Sequence, residues 1–163
     1  MRPMEPNWLN AREDRAWRAF VHAHQQIEVH LSRRLQESGL SGADYEVLAA
    51  LSSLDADRMS ARDLCNTLGW EKSRLSHQLR RMQNDGLISR EPNPDDARST
   101  MVRLLPAGRA AIERAAPAHV ADVRRNFIEL FTPAELDMLA TLNERVLHRL
   151  ATNHDYPAEG APP

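Results

Sequence analysis

Hydroxyls, an imidazole and guanidinium groups crowd into one short stretch of this chain, EKSRLSHQLRRMQND, residues 71–85. With Leu75 set at zero on a helix that turns about 100° per residue, Leu79 falls near 40° and Met82 near −20°, so these three form the buried side. Ser73, His77, Arg80 and Asn84 then point outward, with Arg74, Ser76 and Arg81 on the shoulders. Such groups can read base edges in a DNA major groove and anchor phosphates: arginine pairs bidentately with guanine, and serine donates or accepts at several bases. An ordinary solvated helix has a similar outer face, so the neighbouring segments must decide. A short helix precedes this one through Leu68-Gly69-Trp70, and a hairpin carrying Arg98 follows it. A guanidinium at a hairpin tip can reach an adjacent minor groove or the backbone. Asp96, two residues earlier, supports the wing by holding that guanidinium extended. The weaker alternative is a surface pair that stabilises a turn, worth under about 1 kcal/mol.

The elements that must position these groups follow from periodicity and punctuation. From Leu9 to Gly39, Trp17, Phe20, Val21, His24, Ile27, Leu31 and Leu35 recur at intervals of three and four, one face of a long helix. Ser41 to Asp44 is a capping box that opens a second helix with Tyr45, Leu48 and Leu51 on its buried stripe. Ser60 to Asp63 repeats the device for a short helix with Leu64, Cys65 and Leu68, closed by Gly69. Leu87–Arg90 and Met101–Leu104 are short strand-like runs around the polar stretch EPNPDDARST, which predicts a β-hairpin with a long tip. Pro106 suits a first helical position, and Ile112, Val120, Val123, Phe127 and Leu130 mark the helical region after it. Pro117 lies inside that region and is expected to kink or break it. Thr132 to Glu135 is a third capping box, and Leu136, Leu139, Leu142, Val146 and Leu150 form the stripe of a last helix.

The expected fold is therefore mainly α with a small β-hairpin wing (α+β), a winged helix-turn-helix with long helices at both ends. Residues 40–105 would form the lobe, 1–39 and 106–151 a helical dimerisation region, and 152–163 a flexible tail. Terminal helices with apolar stripes need a partner surface, and a two-fold axis supplies one.

Charge sorts along the chain in the same way. The 163 residues carry a formal net charge of −2, yet residues 58–104 hold nine basic side chains against six acidic ones, leaving the remainder at −5. A basic centre between acidic flanks suits a protein that meets DNA at one discrete site better than one that coats it. The single cysteine, Cys65, excludes an intramolecular disulfide and a thiolate zinc site. No apolar run approaches the roughly twenty residues of a membrane span, and the opening MRPMEPNWLN lacks a secretory signal's apolar stretch, so a cytoplasmic protein is expected.

On these residues the chain resembles the MarR family of bacterial transcription regulators. Ser60 to Gly108 is similar to that family's winged helix-turn-helix, and the flanking helices to its dimerisation region. The most specific piece is DARSTMVRLLPAG, Asp96 to Gly108, which resembles the wing signature of aspartate, any residue, arginine, an apolar strand and a glycine early in the next helix. RRMQNDGLISR, Arg80 to Arg90, resembles the end of the recognition helix and the strand after it. The chain departs from the pattern at Leu105, where threonine usually caps the helix after the wing, and at Glu71, where a small polar residue often opens the recognition helix. The resemblance implies a homodimeric repressor on a pseudo-palindromic operator, with Ser73, Arg74, Ser76, His77 and Arg80 in the major groove and Arg98 in the minor groove.

It also implies release by a small aromatic or phenolic ligand held between dimerisation helices and lobe, with Arg15, Trp17, Arg18 and His22 of the first helix and Tyr45 of the second as candidates. An arginine would hold a carboxylate and a tryptophan would stack on a ring, although Trp17 also suits the core. His22 and His24 point about 200° apart on a helix and cannot share one ion, so no metal is expected. Nor is a cofactor or enzymatic activity, since no phosphate-binding glycine loop, nucleophile elbow or informative serine, histidine and carboxylate set is present. Two alternatives stay open: an architectural DNA-binding protein with little sequence preference, and a redox-responsive regulator acting through Cys65. The latter is disfavoured because a cysteine beside Leu64 and Leu68 behaves as a small buried hydrophobe, and because the family's peroxide-sensing branch carries its cysteine near the start of the first helix.

Overall fold

Four of the helices, those that open at Ala11, Gly42, Ala61 and Pro133, start at side chains that reach back to the orphan amides of the first turn. The computed structural model describes residues 7–54, 57–93 and 96–152, excluding the side chains of 96–98. Helix α1, Ala11–Glu37, opens on Asn10, whose side chain accepts from the Arg12 and Glu13 amides while Glu13 takes the Asn10 N–H at 2.9 Å. Helix α2, Gly42–Ser52, opens on Ser41 and Asp44 as expected. Strand β1, Arg58–Ser60, leads into α3, Ala61–Leu68, where the Ser60 hydroxyl accepts from the Asp63 amide at 3.0 Å. Helix α4, Lys72–Asn84, begins after Glu71, which makes no capping hydrogen bond through its side chain.

Strands β2, Ile88–Asn93, and β3, Asp96–Leu104, precede α5, Pro106–Asn126. A 3-10 turn at Ile128–Leu130 and helix α6, Pro133–Thr152, follow. The Thr132 and Glu135 box at the start of α6 is formed, each reaching the other's amide.

The fold class is as expected, mostly helical with a small antiparallel sheet, but three details expected from the sequence are corrected. The wing sheet has three strands in the order β1-β3-β2, because Met59 pairs with Val102 on the far edge of β3. A three-residue strand is too short for alternation to reveal it. The hairpin also has no long tip: pairing of β2 with β3 continues to Asn93 and Asp96, with a register irregularity at Pro92 and Asn93. Proline is tolerated there because β2 is an edge strand. Finally, of the kink or break expected at Pro117 the break does not occur: α5 runs through Pro117 as one helix. A proline costs one intrahelical bond, and the buried Ala111, Ile112 and Ala115 anchor the preceding turns.

The core gathers around α2. Val47, Leu48 and Leu51 are wholly buried among Leu64 of α3, Leu75, Leu79 and Met82 of α4, Ile88, Val102 and Leu104 of the sheet, and Ile112 of α5. The three α4 residues are the ones that the helical wheel assigns to the buried side. Gly108 lets α5 close onto this core. A Cβ there would collide with the Leu87 carbonyl and lie 2.9 Å from Leu104 Cδ1.

Beside the apolar core sits one buried polar node. Asp44 receives the Ser41 amide at 2.8 Å and hydroxyl at 2.6 Å on one oxygen, and Gln78 at 2.5 Å and Arg81 at 3.2 Å on the other. The cap of α2 thereby grips the inner side of α4. Burial alone would push the Asp44 carboxyl up, but the Ser41 hydrogen bonds and the Arg81 charge together hold it below 3.8.

The terminal stripes behave differently from the core. In α1 only Leu35 is buried, while Trp17 and Phe20 are 58% and 54% exposed. Trp17 is thus exposed and not part of the core formed by the described residues. In α6 no residue is buried, and Leu142, Val146 and Leu150 are open to solvent. By its internal packing the chain divides into two units, 1–121 and 122–163. Of the expected tail, only Thr152 is described, as the last residue of α6.

Two consequences can be measured by urea unfolding. Asp44→Ala leaves Gln78 and Arg81 without their buried acceptor and should cost about 2 to 4 kcal/mol. Because the folded carboxyl sits below its unfolded value, the Asp44 contribution is complete well above pH 3.8 and is lost as pH falls below it, a dependence that Asp44→Asn should remove. Gly108→Ala should cost about 1 to 3 kcal/mol through the forced shift of α5 against Leu87.

Candidate nucleic-acid interface

Helix α4 owes its presentation to the turn before it. Gly69 closes α3 in a left-handed conformation, φ 63°, with its amide and that of Trp70 returning to Asn66 and Cys65. This left-handed cap reverses the chain within two residues, and Glu71 then enters α4 extended. At the far end Gly86, φ 70°, sends the chain directly into β2. With Leu75, Gln78, Leu79 and Met82 buried, Ser73, Ser76, His77 and Arg80 are all exposed on the opposite side.

The remaining candidates divide. Arg74 is exposed but leans back: its guanidinium lies 4.0 Å from the Trp70 ring centroid, a cation–π contact that orients it toward α2. Arg81 is committed to Ser41 and Asp44. Asp96 and Arg98 belong by backbone to β3, and their side chains lie outside the described residues. Three cations that the sequence alone does not single out, Arg62, Lys72 and Arg90, line a cleft of about 380 Å³ with Ser76, Ser99 and Thr100, where α3, α4 and the wing meet. Arg90 is steadied there by Gln83 at 2.6 Å. Scattered over 29 residues of sequence, these cations show no common face until the wing folds back. Cys65 is half-buried on the inner wall of the same cleft.

The expected effector residues are not brought together within one chain. Arg15, Trp17, Arg18 and His22 lie in the first half of α1, where Arg18 pairs with Asp14 at 2.9 Å. Tyr45 instead lines a cleft of about 450 Å³ that meets α1 only from Glu28 onward. Its ring centroid is 4.1 Å from that of His119, and burial raises its phenol. Desolvation also raises the Glu46 carboxyl; Arg74 and the Trp70 indole pull it down, and Glu28 pushes it up. Among the described residues no cluster of histidine, cysteine and carboxylates could hold a metal, and no helix is long and apolar enough to cross a membrane.

Comparison with known proteins decides what this architecture is. Residues 38–99 match the model of the MarR family. AbsC, a MarR family transcriptional regulator from Streptomyces coelicolor, is 37% identical, with 90% of this chain and 99% of that one aligned and a TM-score of 0.85. The chain belongs to the MarR family. A second member from S. coelicolor, Sco3205, solved in complex with DNA, is 31% identical over 92% of this chain and 98% of its own, with a TM-score of 0.86. The transcriptional repressor IacR of Pseudomonas putida is 27% identical over 86% of this chain and 83% of its own. Within the MarR family frame, α3 and α4 are the helix-turn-helix and β2 and β3 the wing.

The Glu46 environment yields a direct test. Since Arg74 holds the carboxyl down against desolvation and Glu28, Arg74→Ala should move the Glu46 midpoint further above 4.5. Carboxyl carbon shifts followed by NMR across pH 3 to 8 would show it, and an unmoved midpoint would mean that Arg74 does not act on Glu46.

Proposed function

We propose that this chain is a homodimeric transcriptional repressor whose two α4 helices enter successive major grooves of a pseudo-palindromic operator, and whose hold on DNA a small ligand releases. The observation that carries the reading is the exposed Ser73, Ser76, His77 and Arg80 face of α4, flanked by the Arg62, Lys72 and Arg90 cleft. Hydroxyl, imidazole and guanidinium groups supply the contacts to base edges, and the flanking cations supply the contacts to phosphate that fix register. Arg74 joins them at the start of the helix, and Arg98, with Asp96 behind it, serves the minor groove.

Dimerisation rests on 1–39 and 106–151, around the lobe 40–105, with 152–163 as a tail. The exposed Trp17 and Phe20 of α1 and Leu142, Val146 and Leu150 of α6 support it, since apolar side chains in this number rarely stay in water. Two-fold symmetry then sets half-site centres about 10 base pairs apart. The protein works in the cytoplasm as a binding protein, not as an enzyme. A ligand acts by preferring the dimer geometry whose lobes no longer match that spacing.

Fluorescence anisotropy on the duplex upstream of the protein's own gene, beside a scrambled duplex, tests this reading. Expected is a preference of at least about a thousandfold at physiological salt. Arg80→Ala should cost about 1 to 3 kcal/mol on the native duplex and less on the scrambled one. Equal, steeply salt-dependent binding to both would instead support an architectural protein.

A further inference from the structure

The cleft beside Tyr45 carries a charge opposite to that expected of a site for anionic aromatics. Its groove continues past Leu31 and Leu68 to the Trp70 face, and Glu28 and Glu46 line it throughout. The charged and titratable groups along it are Glu28, Glu46 and Arg74, with His24 and His119. With the histidines neutral the groove is net negative. Arg74 is already engaged, over Trp70 and within the field of Glu46, so an anion would have to approach two carboxylates to reach it. Arg15 and Arg18, the cations expected to hold an anion, are not among the lining residues. The other walls are apolar or aromatic: Leu31, Leu35, Ala49, Ala50 and the Tyr45 ring set against His119.

We infer that this groove takes a small organic cation, an ammonium or amidinium on a flat apolar body. The charged head lies between Glu28 and Glu46, and the body lies against Tyr45, Leu31 and Ala50. Both halves of the site are needed. Two partly solvated carboxylates alone would hold any cation weakly, whereas a ring and an aliphatic wall select one with a flat face. The carboxylate that such a cation engages, Glu46, is the one that interacts with Arg74 at the start of α4. Occupancy therefore competes with Arg74 for Glu46 and is felt at the proposed recognition helix. This regulatory half rests on the function proposed above; the binding half does not.

Benzamidinium, benzamide and benzoate share size and shape and differ in charge, so they make the test. Isothermal titration calorimetry on the full chain without DNA, with probes up to about 10 mM, should show benzamidinium binding at least about fivefold more tightly than either relative. Glu28→Gln and Glu46→Gln, both at exposed positions and nearly isosteric, should each weaken it about threefold, and together abolish the preference. Circular dichroism would verify that both variants are folded, and Tyr45→Phe, which keeps the ring, should retain the charge preference. Benzoate or benzamide binding as tightly as benzamidinium would overturn the inference, as would no binding of any probe or a preference that survives the double substitution. Anisotropy on the native duplex then reads the regulatory half. Expected is weaker duplex binding with benzamidinium for the wild-type chain and no effect for the double variant. Probe binding without any change in duplex affinity would reject the coupling, whereas absence of duplex binding before any probe is added would reject the proposed function alone.

Discussion

One buried carboxylate ties the scaffold to the helix that it presents. Asp44 caps α2 through Ser41 and, with its second oxygen, accepts from Gln78 and Arg81 on the inner side of α4. A buried charge is costly unless its lone pairs are filled, and these are filled from two elements at once, so α2 and α4 cannot slide past one another without exposing an unpaired ion. The apolar contacts of Leu48 and Leu51 with Leu75, Leu79 and Met82 supply most of the cohesion, but they are non-directional. Asp44 adds the register.

The wing is set with similar economy. Gly108 lets α5 approach the Leu87 carbonyl too closely for any side chain, and the Leu105 amide returns to that same carbonyl at 3.1 Å. Leu105, which cannot cap through its side chain, therefore contributes a backbone bond, and Pro106 opens α5 as a residue whose ring presets a helical φ. The distance between the end of α4 and the start of α5 is thus fixed at one carbonyl. β2 and β3 extend from that point, with β1 sealing the other edge of β3.

Much of this is legible in the residues alone. Local signals are strongest: hydroxyl and carboxylate caps at Ser41, Ser60 and Thr132, glycine stops at Gly69 and Gly86, and a buried side of α4 that follows from the spacing of Leu75, Leu79 and Met82. What escapes is non-local or too short to show a period. β1 is three residues long, and its pairing with β3 spans more than forty residues of sequence. Pro117 misleads because local propensity ignores the packing of Ala111, Ile112 and Ala115. Gln78 falls on the wheel beside the apolar side, but only its partner Asp44, thirty-four residues away, explains its burial. The expected effector residues are scattered for the same reason: Arg15 to His22 and Tyr45 share no spacing that could test their proximity.

Charge is where the folded chain departs furthest from its sequence average. A formal charge of −2 resolves into a cationic cleft of Arg62, Lys72 and Arg90 on one side of α4 and a carboxylate groove of Glu28 and Glu46 on another. Helix α4 is the boundary between them, and its arginines are divided by task. Arg81 is held by Asp44, Arg74 leans on Trp70 toward Glu46, and Arg80 is left exposed on the outer face. Arg81 therefore ties one end of α4 to α2 through its ion pair with Asp44, while Arg74 near the other end lies within the field of Glu46, two residues further along α2. At the Arg81 end it is the Asp44 carboxylate that is buried, filled by hydrogen bonds from Ser41, Gln78 and a half-exposed Arg81. The Arg74 end is exposed and faces an open groove, so the charge of Glu46 and Glu28 within that groove acts on it through solvent rather than through a buried contact.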